Sequence, residues 1–338
     1  MSCKMLFFDY RESEKDFFNK HDFSNYNIKF FKESLNEETF NKLSEEDIEN
    51  TVIISIFVTS VINEKIINKF KNLRVITTRS TGYDHIDINS CINKNVALIN
   101  VDSYGDSAVA QFTFMLLLML VRKINIIINA QTPTDYEGAD FTGRNINAMT
   151  LGVIGTGVIG SGVCRAASCF GMKVLACDIR HNQDLISSCN VEYTDLDTLL
   201  KNSDIVSLHA PYTKENYQMI GYEQFKIMKN DSYFINVARG ELINTNALLE
   251  FAKAGKFKGI ALDVVACKNT ECPNDEYDKS SVNCIETSPA VRELAKLPNV
   301  ILTPHIAYDT QEAVDFILET TFKGLGDFLT GGKGYRVV

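Results

Sequence analysis

The stretch TLGVIGTGVIGSGV, residues 150–163, joins an apolar run to three closely spaced glycines. Gly155, Gly157 and Gly160 stand in the order G-x-G-x-x-G, after a segment typical of a buried strand and before one compatible with a helix. Glycines at this spacing permit a tight turn and a close approach of the backbone to a pyrophosphate at the helix N-terminus. The same spacing occurs in merely structural turns, but the strand–turn–helix context favours a dinucleotide site.

An acidic residue follows at the place where a dinucleotide site needs one. The next apolar run, KVLACD, ends at Asp178. A carboxylate at the end of this strand accepts a hydrogen bond from a ribose 2′-hydroxyl and repels a 2′-phosphate, which favours NAD over NADP. Arg180 leaves NADP as an alternative, because an arginine at this place can pair with a 2′-phosphate.

Short apolar runs recur along the whole chain, with helix-like stretches between them. The runs are nearly continuous in apolar residues, as is typical of strands that are buried on both faces. Strands alternating with helices predict an α/β fold with parallel sheets. The runs occupy residues 5–10, 51–57, 74–80, 96–101, 150–155, 173–178, 204–210, 232–238, 259–265 and 299–307.

The length of 338 residues predicts two domains. We expect a nucleotide-binding domain over residues 104–308, and a second, discontinuous domain formed by residues 1–103 and 309–338. The final helical stretch, ending near residue 329, can pack back on the N-terminal part. A long helix is expected over residues 107–128, followed by a polar loop over residues 131–149.

Composition narrows the class of protein. The chain is 45% hydrophobic and 23% charged, as expected for a soluble globular protein, and its net charge of −9 argues against nucleic acid as a partner. The most apolar run, residues 109–121, is too short to span a membrane. No signal-peptide pattern is visible at the start, so we expect a cytoplasmic protein.

The nine cysteines are odd in number and irregularly spaced, which predicts reduced thiols. Cys267, Cys272 and Cys284 lie close together in the sequence, but they form no C-x-x-C pair. A zinc site is therefore less favoured than a surface loop that tolerates cysteine, and no metal is expected.

Three polar residues end predicted strands in the second half of the chain: Arg239, Asp263 and His305. In an open parallel sheet, ligands bind beyond the carboxyl ends of the strands. An arginine fork suits a carboxylate and polarises an adjacent carbonyl, and a histidine donates a proton near neutral pH. Together they suit the reduction of a 2-oxo acid. Taken singly, a surface ion pair and a structural histidine are the simpler interpretations.

Several longer motifs occur in a fixed order. They are RSTGYDHIDINSC (residues 79–91), DIVSLHAPYTKEN (204–216), FINVARGELINTNALLEFAKAGKFKGIALDVV (234–265) and NVILTPHIAYDTQEAV (299–314). With these motifs the sequence resembles the D-isomer-specific 2-hydroxyacid dehydrogenases, in particular the D-lactate and D-2-hydroxyisocaproate dehydrogenase group. The resemblance implies a flavodoxin-like catalytic domain, a Rossmann-type NAD-binding domain and a homodimer. It also implies an oxidoreductase that reduces a small 2-oxo acid with NADH, pyruvate foremost, in fermentation.

The resemblance also implies roles for individual residues. Arg239 matches the substrate-binding catalytic arginine, and His305 the catalytic acid/base. The implied cofactor-binding residues are Gly155, Gly157, Val158, Ile159, Gly160, Asp178, Ala210, Pro211, Asn216, Val237, Ala238 and Asp263. The implied substrate-binding residues are Ser80, Thr81 and Gly82, through their backbone amides, and Phe57 and Tyr104, which shape the side-chain pocket. The remaining histidines are expected to be structural or at the surface: His21, His85, His181 and His209.

The family's third catalytic residue is a glutamate that pairs with the histidine, normally in a D-V-x-x-x-E arrangement. Here Lys268 stands at that place after Asp263. The segment looks longer than in relatives, so an insertion can shift the glutamate to Glu271, which is followed by x-Pro. The alternatives are Asp275, Glu276 or a lost glutamate.

Two other functions therefore stay open at this point. A lost glutamate would fit an NAD-binding sensor or scaffold without catalysis. An apolar pocket lined by Phe57 and Tyr104 would also fit a dehydrogenase for a branched or aromatic 2-oxo acid.

The carboxylate of Asp178 generates a first prediction. We expect the wild-type protein to prefer NADH over NADPH. Replacing Asp178 by alanine should narrow this preference, because the repulsion of a 2′-phosphate is removed. Steady-state kinetics with both cofactors measures the ratio. Equal wild-type turnover with NADH and NADPH would contradict the assignment.

Overall fold

The computed structural model describes residues 3–83, 85–102, 105–130, 137, 140–266, 285 and 288–338. The chain divides into two compact units. Unit 1 consists of Met1–Gly105 and Asp309–Val338, and unit 2 of Asp106–Tyr308. Each has its own parallel sheet and its own hydrophobic core.

Unit 1 is built on a five-stranded parallel sheet with the order β2-β1-β3-β4-β5. This order is that of flavodoxin-like folds, and it confirms the predicted α/β class for this unit. The strands are β1 (Cys3–Phe7), β2 (Tyr26–Phe30), β3 (Ile53–Ile56), β4 (Val75–Thr78) and β5 (Ala97–Ile99).

Alternating side chains of this sheet form two cores on its opposite faces. Leu6 and Ile54 belong to one cluster, while Met5, Phe7 and Ile53 belong to the other, as the period of two in a strand requires. The helices of the unit are α1 (Lys15–Lys20), α2 (Glu37–Phe40), α3 (Glu45–Asn50), α4 (Glu64–Lys69) and α5 (Ile88–Asn93), with the short 3-10 turn Glu12–Glu14. The C-terminal helix Gln311–Leu329 packs Val314, Leu318 and Leu325 against the second cluster.

Unit 2 has a seven-stranded parallel sheet with the order β12-β11-β10-β9-β6-β7-β8. Counted from the first strand of the unit, this is the doubly wound Rossmann order, and the point of reversal lies between β6 and β9. The strands are β6 (Thr150–Ile154), β7 (Lys173–Cys177), β8 (Glu192–Tyr193), β9 (Ile205–Leu208), β10 (Ser232–Asn236), β11 (Phe257–Leu262) and β12 (Val300–Leu302).

Helices cover both faces of this sheet. They are α6 (Asp106–Val121), α7 (Ile124–Asn129), α8 (Val158–Cys169), α9 (Gln183–Cys189), α10 (Leu196–Asn202), α11 (Tyr222–Ile227), α12 (Thr245–Lys253) and α13 (Pro289–Leu294); the helix Gln311–Leu329 of unit 1 is α14. Short 3-10 turns occupy Ile146–Ala148, Lys214–Asn216 and Gly240–Leu242. In the described part of the chain, no helix has the length and apolar character needed to cross a membrane.

The single helix predicted over residues 107–128 is wrong. α6 ends at Val121, and α7 begins at Ile124. Lys123 between them adopts a left-handed conformation with φ of 55°, which interrupts helical hydrogen bonding. The apolar pattern runs through both helices because both are partly buried, so it gives no signal of the break. Of the predicted polar loop at residues 131–149, residues 131–136, 138 and 139 lie outside the described part.

Each of the apolar runs identified in the sequence overlaps one strand, although β1 and β11 begin two residues before their runs. Two strands were missed, β2 and β8, and both lie at sheet edges. β2 is mostly exposed along YNIKF, and β8 has two residues, neither of them buried. Edge strands need not be buried on both faces, so a search for continuous apolar runs overlooks them.

Candidate cofactor and active site

The glycine turn after β6 is packed backbone against backbone. Gly155 has φ of +90°, and a Cβ there would lie 2.6 Å from the amide nitrogen of Ala210. A Cβ on Gly160 would lie 2.0 Å from the carbonyl oxygen of Gly155. These two positions therefore require glycine for conformation and for close approach.

Gly157 differs, because no atom lies within 4 Å of the place that its Cβ would occupy. It is the N-cap of α8, a 12-residue helix, and no side chain caps this helix end. The free N–H groups and the positive end of the helix dipole therefore face open space in front of Gly157. This space fits a pyrophosphate, and it would be filled by any larger residue.

Asp178 is tied to the glycine turn. Its carboxylate accepts the N–H of Thr156 at 2.5 Å and the N–H of Arg180 at 2.9 Å. Burial alone would raise the pKa of Asp178, but the hydrogen bonds from Arg180 and Thr156 bring it below its ordinary value. Asp178 is therefore ionised at neutral pH and has acceptor capacity left for a ribose hydroxyl. The side chain of Thr156 also bonds the hydroxyl of Tyr193 at 2.9 Å, two residues that sequence reasoning missed.

The segment after β9 touches the same turn through its backbone. Ala210 is the neighbour that excludes a side chain at Gly155. The Asn216 side chain donates to the carbonyl of Pro211 at 2.7 Å and accepts the N–H of Thr213 at 2.7 Å. Asn216 thus shapes this loop from within, and its predicted contact with a cofactor stays a prediction.

Arg239, Asp263 and His305 follow β10, β11 and β12, three neighbouring strands of one parallel sheet. Adjacent strands lie roughly 4.8 Å apart, so the ends of β10 and β12 are separated by about 10 Å. The topology brings the three residues to one edge, as the sequence predicts.

Arg239 is half-buried, and its Nη1 donates to the carbonyl of Ala238 at 2.8 Å. The buried Asn236 holds the turn by donating to the carbonyl of Arg239 and accepting the N–H of Ala238. A Cβ at Gly240 would lie 2.1 Å from the carbonyl carbon of Val265, so the turn lies directly on the chain that leaves β11. Among the described residues, no carboxylate forms an ion pair with Arg239. These residues therefore do not support the interpretation of Arg239 as part of a surface ion pair. The adjacent Val237 is buried.

Asp263 is fully buried and holds the loop that carries His305. Its carboxylate accepts the hydroxyl of Thr303 at 2.5 Å and the N–H groups of Ile306 and Ala307 at 3.0 and 2.9 Å. Burial raises the pKa of Asp263, against these three hydrogen bonds, which lower it.

The loop conformation is unusual at His305 itself. This half-buried residue has φ of 57°, a left-handed conformation that is costly for a residue with a Cβ. The three bonds to Asp263 fix the loop on both sides of His305. Sequence reasoning missed Thr303 and this role of Asp263, because nothing in TPHIA shows which carboxylate it will bond.

In unit 1, the hydroxyl groups of Ser80 and Thr81 donate to backbone carbonyls. Ser80 donates to the carbonyl of Gly82 at 2.7 Å, and Thr81 donates to the carbonyl of Val101 at 3.0 Å. Within the described residues, no acceptor takes the N–H of Thr81 or of Gly82. These amides are therefore available to a carboxylate, whereas the hydroxyls are not.

Phe57 is 7% exposed and donates its N–H to Asp9. Other predicted residues lie outside the described part of the chain: Tyr104, Glu271 with its alternatives Asp275 and Glu276, Lys268, and Cys267, Cys272 and Cys284. Among the residues that are described, no cluster of three or more histidine, cysteine or acidic side chains has the arrangement of a metal site.

The other histidines have structural contacts. His209 is half-buried, and its desolvation lowers its pKa to about 3, so it is neutral and bonds Ser207 at 2.8 Å. The Nε2 atom of His85 lies 3.1 Å from the hydroxyl of Thr78. His21 stacks on Phe17, and His181 stacks on Tyr193.

A Rossmann sheet with an open glycine turn, a charged acid after its second strand, and an arginine and a histidine beyond β10 and β12 defines a nucleotide-dependent oxidoreductase. Comparison with known proteins gives the family. The sequence model described as "D-isomer specific 2-hydroxyacid dehydrogenase, NAD binding domain" matches residues 114–307.

Individual relatives agree with this match. The chain is 35% identical to the aromatic 2-oxoacid reductase of Clostridium sporogenes, over 84% of this chain and 85% of that protein. It is 34% identical to the glyoxylate reductase of Thermofilum pendens, over 81% and 77%. The structure of D-lactate dehydrogenase from Aquifex aeolicus with NAD and lactic acid matches 99% of both chains with a TM-score of 0.83 and 35% identity.

The chain belongs to the D-isomer specific 2-hydroxyacid dehydrogenase family. It is an NAD-dependent oxidoreductase of the kind that reduces 2-oxo acids, and NAD is its cofactor. The resemblance, the two-domain α/β fold and the cofactor predicted from the sequence are confirmed.

The second prediction follows from the different surroundings of Gly157 and Gly160. Gly157→Ala should fold normally, because its Cβ meets no atom, but it should lose NADH affinity, because the methyl group enters the space proposed for the pyrophosphate. Gly160→Ala should instead lower the free energy of unfolding by about 1–3 kcal/mol or more, because its Cβ meets backbone. Thermal unfolding and NADH titration measure the two effects. Normal NADH binding by Gly157→Ala would show that the space is not used.

Asp263 generates the third prediction. Asp263→Asn keeps the size but replaces one of the two acceptor oxygens by an NH₂ group, so at least one of the three hydrogen bonds is lost and the loop of His305 should shift. We expect kcat/KM for a 2-oxo acid to fall by roughly 10²-fold, the scale of a small misplacement of a reacting group. The Kd for NADH should change little. Asp204→Asn, a change elsewhere in unit 2, is the matched control. A selective loss of NADH binding would show that Asp263 acts on the cofactor instead.

Proposed function

We propose that this protein reduces a small 2-oxo acid, pyruvate foremost, to the D-2-hydroxy acid with NADH. The placement of Arg239 and His305 at one edge of a single parallel sheet, beyond β10 and β12 with only β11 between them, carries this proposal. Arg239 anchors the substrate carboxylate with its fork of donors and polarises the adjacent carbonyl. The amides of residues 80–82 add donors for the carboxylate.

His305, as the imidazolium, gives its proton to the carbonyl oxygen while the carbonyl carbon is reduced. Bound NADH supplies the hydride. The overall change consumes the 2-oxo acid, NADH and one proton, and it yields the 2-hydroxy acid and NAD⁺. The left-handed turn held by Asp263 fixes the backbone from which His305 acts.

An aromatic or branched 2-oxo acid is the second candidate substrate. Phe57 offers an apolar wall, and a relative with 35% identity is named an aromatic 2-oxoacid reductase. A pocket lined by a few apolar side chains discriminates poorly by size, so only turnover decides between these substrates. The names of the relatives favour an enzyme over the non-catalytic sensor considered above.

We also propose a homodimer that uses an apolar groove of unit 2. A cavity of ≈ 970 Å³ lies between α6 and α8, with the glycine turn at Thr156 and Gly157 at one end and the apolar groove formed by the two helices beside it. Met115 and Phe170 on its walls are 41% and 49% exposed. Exposed apolar surface of this kind is typical of interfaces. Mass photometry of the wild type and of Met115→Glu tests this, with loss of the dimer expected in the variant.

We propose in addition that the enzyme works in the cytoplasm and regenerates NAD during fermentation. The six described cysteines are free thiols, which suits a reducing compartment. Reduction of a 2-oxo acid consumes NADH one for one. Fractionation of cells and measurement of secreted D-2-hydroxy acid test the two parts separately.

The decisive experiment measures NADH oxidation with pyruvate, glyoxylate, 2-oxoisocaproate and phenylpyruvate, followed by chiral analysis of the product. Arg239→Lys keeps the charge but loses the fork, so KM for the best substrate should rise and kcat should fall with NADH affinity nearly unchanged. Arg292→Lys, at the surface of unit 2, is the control. Equal loss of NADH binding in Arg239→Lys would show a structural role.

His305→Gln tests the acid in the same assay. We expect kcat/KM to fall by roughly 10²–10⁴-fold, the usual contribution of a general acid. In the wild type, kcat/KM for reduction should decrease as pH rises, because reduction needs the protonated imidazole. Unchanged rates in His305→Gln would overturn the proposed chemistry.

A further inference from the structure

A buried ionic network lies at the carboxyl edge of the sheet in unit 1. Arg79 follows β4, and Asp9 follows β1. Arg79 and Glu14 are each 1% exposed, and Asp9 is 8% exposed. Burying a charge costs free energy unless it is paired and hydrogen-bonded, so the contacts of these groups show what they hold in place.

The guanidinium of Arg79 joins the ends of three strands. Its Nη1 donates to the hydroxyl of Ser55 in β3 at 2.9 Å. Its Nη2 donates to the carbonyls of Phe8 and Asp9, after β1, at 2.8 and 3.2 Å. Its Nε lies 3.4 Å from the carboxylate of Glu14. All three nitrogens of the planar fork are engaged, an arrangement that a lysine cannot reproduce.

Asp9 holds a neighbouring segment, residues 57–60, in place. Its carboxylate accepts the N–H of Phe57 at 2.9 Å and the hydroxyls of Thr59 and Ser60 at 2.6 and 2.7 Å. The residue itself has φ of 57°, a left-handed conformation that a non-glycine residue adopts at a cost. In this strained conformation, the carboxylate of Asp9 accepts the three hydrogen bonds that fix residues 57–60.

Arg79 also adjoins the segment that offers free amides. Its own N–H donates to the carbonyl of Ile56 at 2.8 Å, and Ser80 follows directly. The Ser80 hydroxyl bonds that of Thr78 at 2.7 Å and folds back on Gly82. The network therefore ends in two segments, residues 57–60 and 80–82.

We propose that Arg79 is a positioning residue for the substrate: with Asp9 and Glu14 it sets the wall at Phe57 and the amides of residues 80–82. This inference rests on the proposed function, which assigns those two segments to the 2-oxo acid. Arg79 itself touches neither substrate nor cofactor in this scheme. Its loss should weaken substrate binding and leave the cofactor unaffected.

Arg79→Lys tests the inference in the purified full-length protein, with the 2-oxo acid that the wild type reduces best. We expect KM for the 2-oxo acid to rise by roughly 10–100-fold, a range consistent with slightly misplaced binding groups. KM for NADH should stay within about threefold of wild type, since unit 2 is untouched. Arg74→Lys, an exposed arginine of the same unit, is the matched control and should change neither value.

A second pair of variants separates positioning from folding. Asp9→Gly relieves the left-handed strain of the backbone, but it removes the carboxylate that holds residues 57–60. Asp9→Asn tolerates the same conformation and keeps one acceptor. We expect the KM for the 2-oxo acid to rise in Asp9→Gly and to recover in part in Asp9→Asn, with KM for NADH constant in both.

The outcomes are distinct. If Arg79→Lys fails to fold, the Asp9 pair decides the matter. Folded Arg79→Lys and Asp9→Gly proteins with unchanged KM for the 2-oxo acid overturn the inference and show a merely structural network. An equal rise of both KM values overturns it as well. A wild-type protein that reduces no 2-oxo acid instead overturns the proposed function, and this inference falls with it.

Discussion

Parallel pairing of β10, β11 and β12 is the constraint on which the candidate site depends. Because neighbouring strands run in the same direction, residues far apart in sequence leave the sheet at one edge. Arg239 and His305 are 66 positions apart in the sequence, yet only β11 lies between the strands that precede them. A shift in register of either pair would move one residue relative to the other by a strand repeat, roughly 3.3 Å. The buried apolar side chains of these strands therefore fix the chemistry as much as the fold.

The sequence predicted those features that depend on residues close together in the chain. The central strands of both sheets appear as continuous apolar runs, because both faces of each sheet are covered. The glycine turn is equally local, since backbone contacts such as that of Gly160 with Gly155 leave room for no other residue. The edge strand β2 was missed because its mostly exposed side chains leave no continuous apolar pattern, and the break at Lys123 was missed because the apolar pattern continues from α6 into α7.

The contacts within the site were less predictable than its members. Asp263 was identified through its place at a strand end, but its partners Thr303, Ile306 and Ala307 are set by how two loops meet in space. Likewise, DIR at the end of β7 indicates an acid for a ribose, but not that this acid also holds Thr156 between two glycines. Such bonds depend on tertiary geometry, which propensity and spacing do not encode.

In both units, a residue shortly after a strand has a left-handed conformation and lies in a segment that is fixed by hydrogen bonds to a buried carboxylate. Asp9 after β1 and His305 shortly after β12 adopt left-handed conformations, although neither is glycine. Each such residue costs about 1–2 kcal/mol. In both cases a buried carboxylate opposes this cost: that of Asp9 itself in unit 1, and that of Asp263 in unit 2. Each carboxylate accepts three hydrogen bonds, and these bonds hold the left-handed residue in place. A carboxylate buried beneath a turn thus fixes a conformation that the local sequence disfavours, and the side chain or segment held there has little freedom to move.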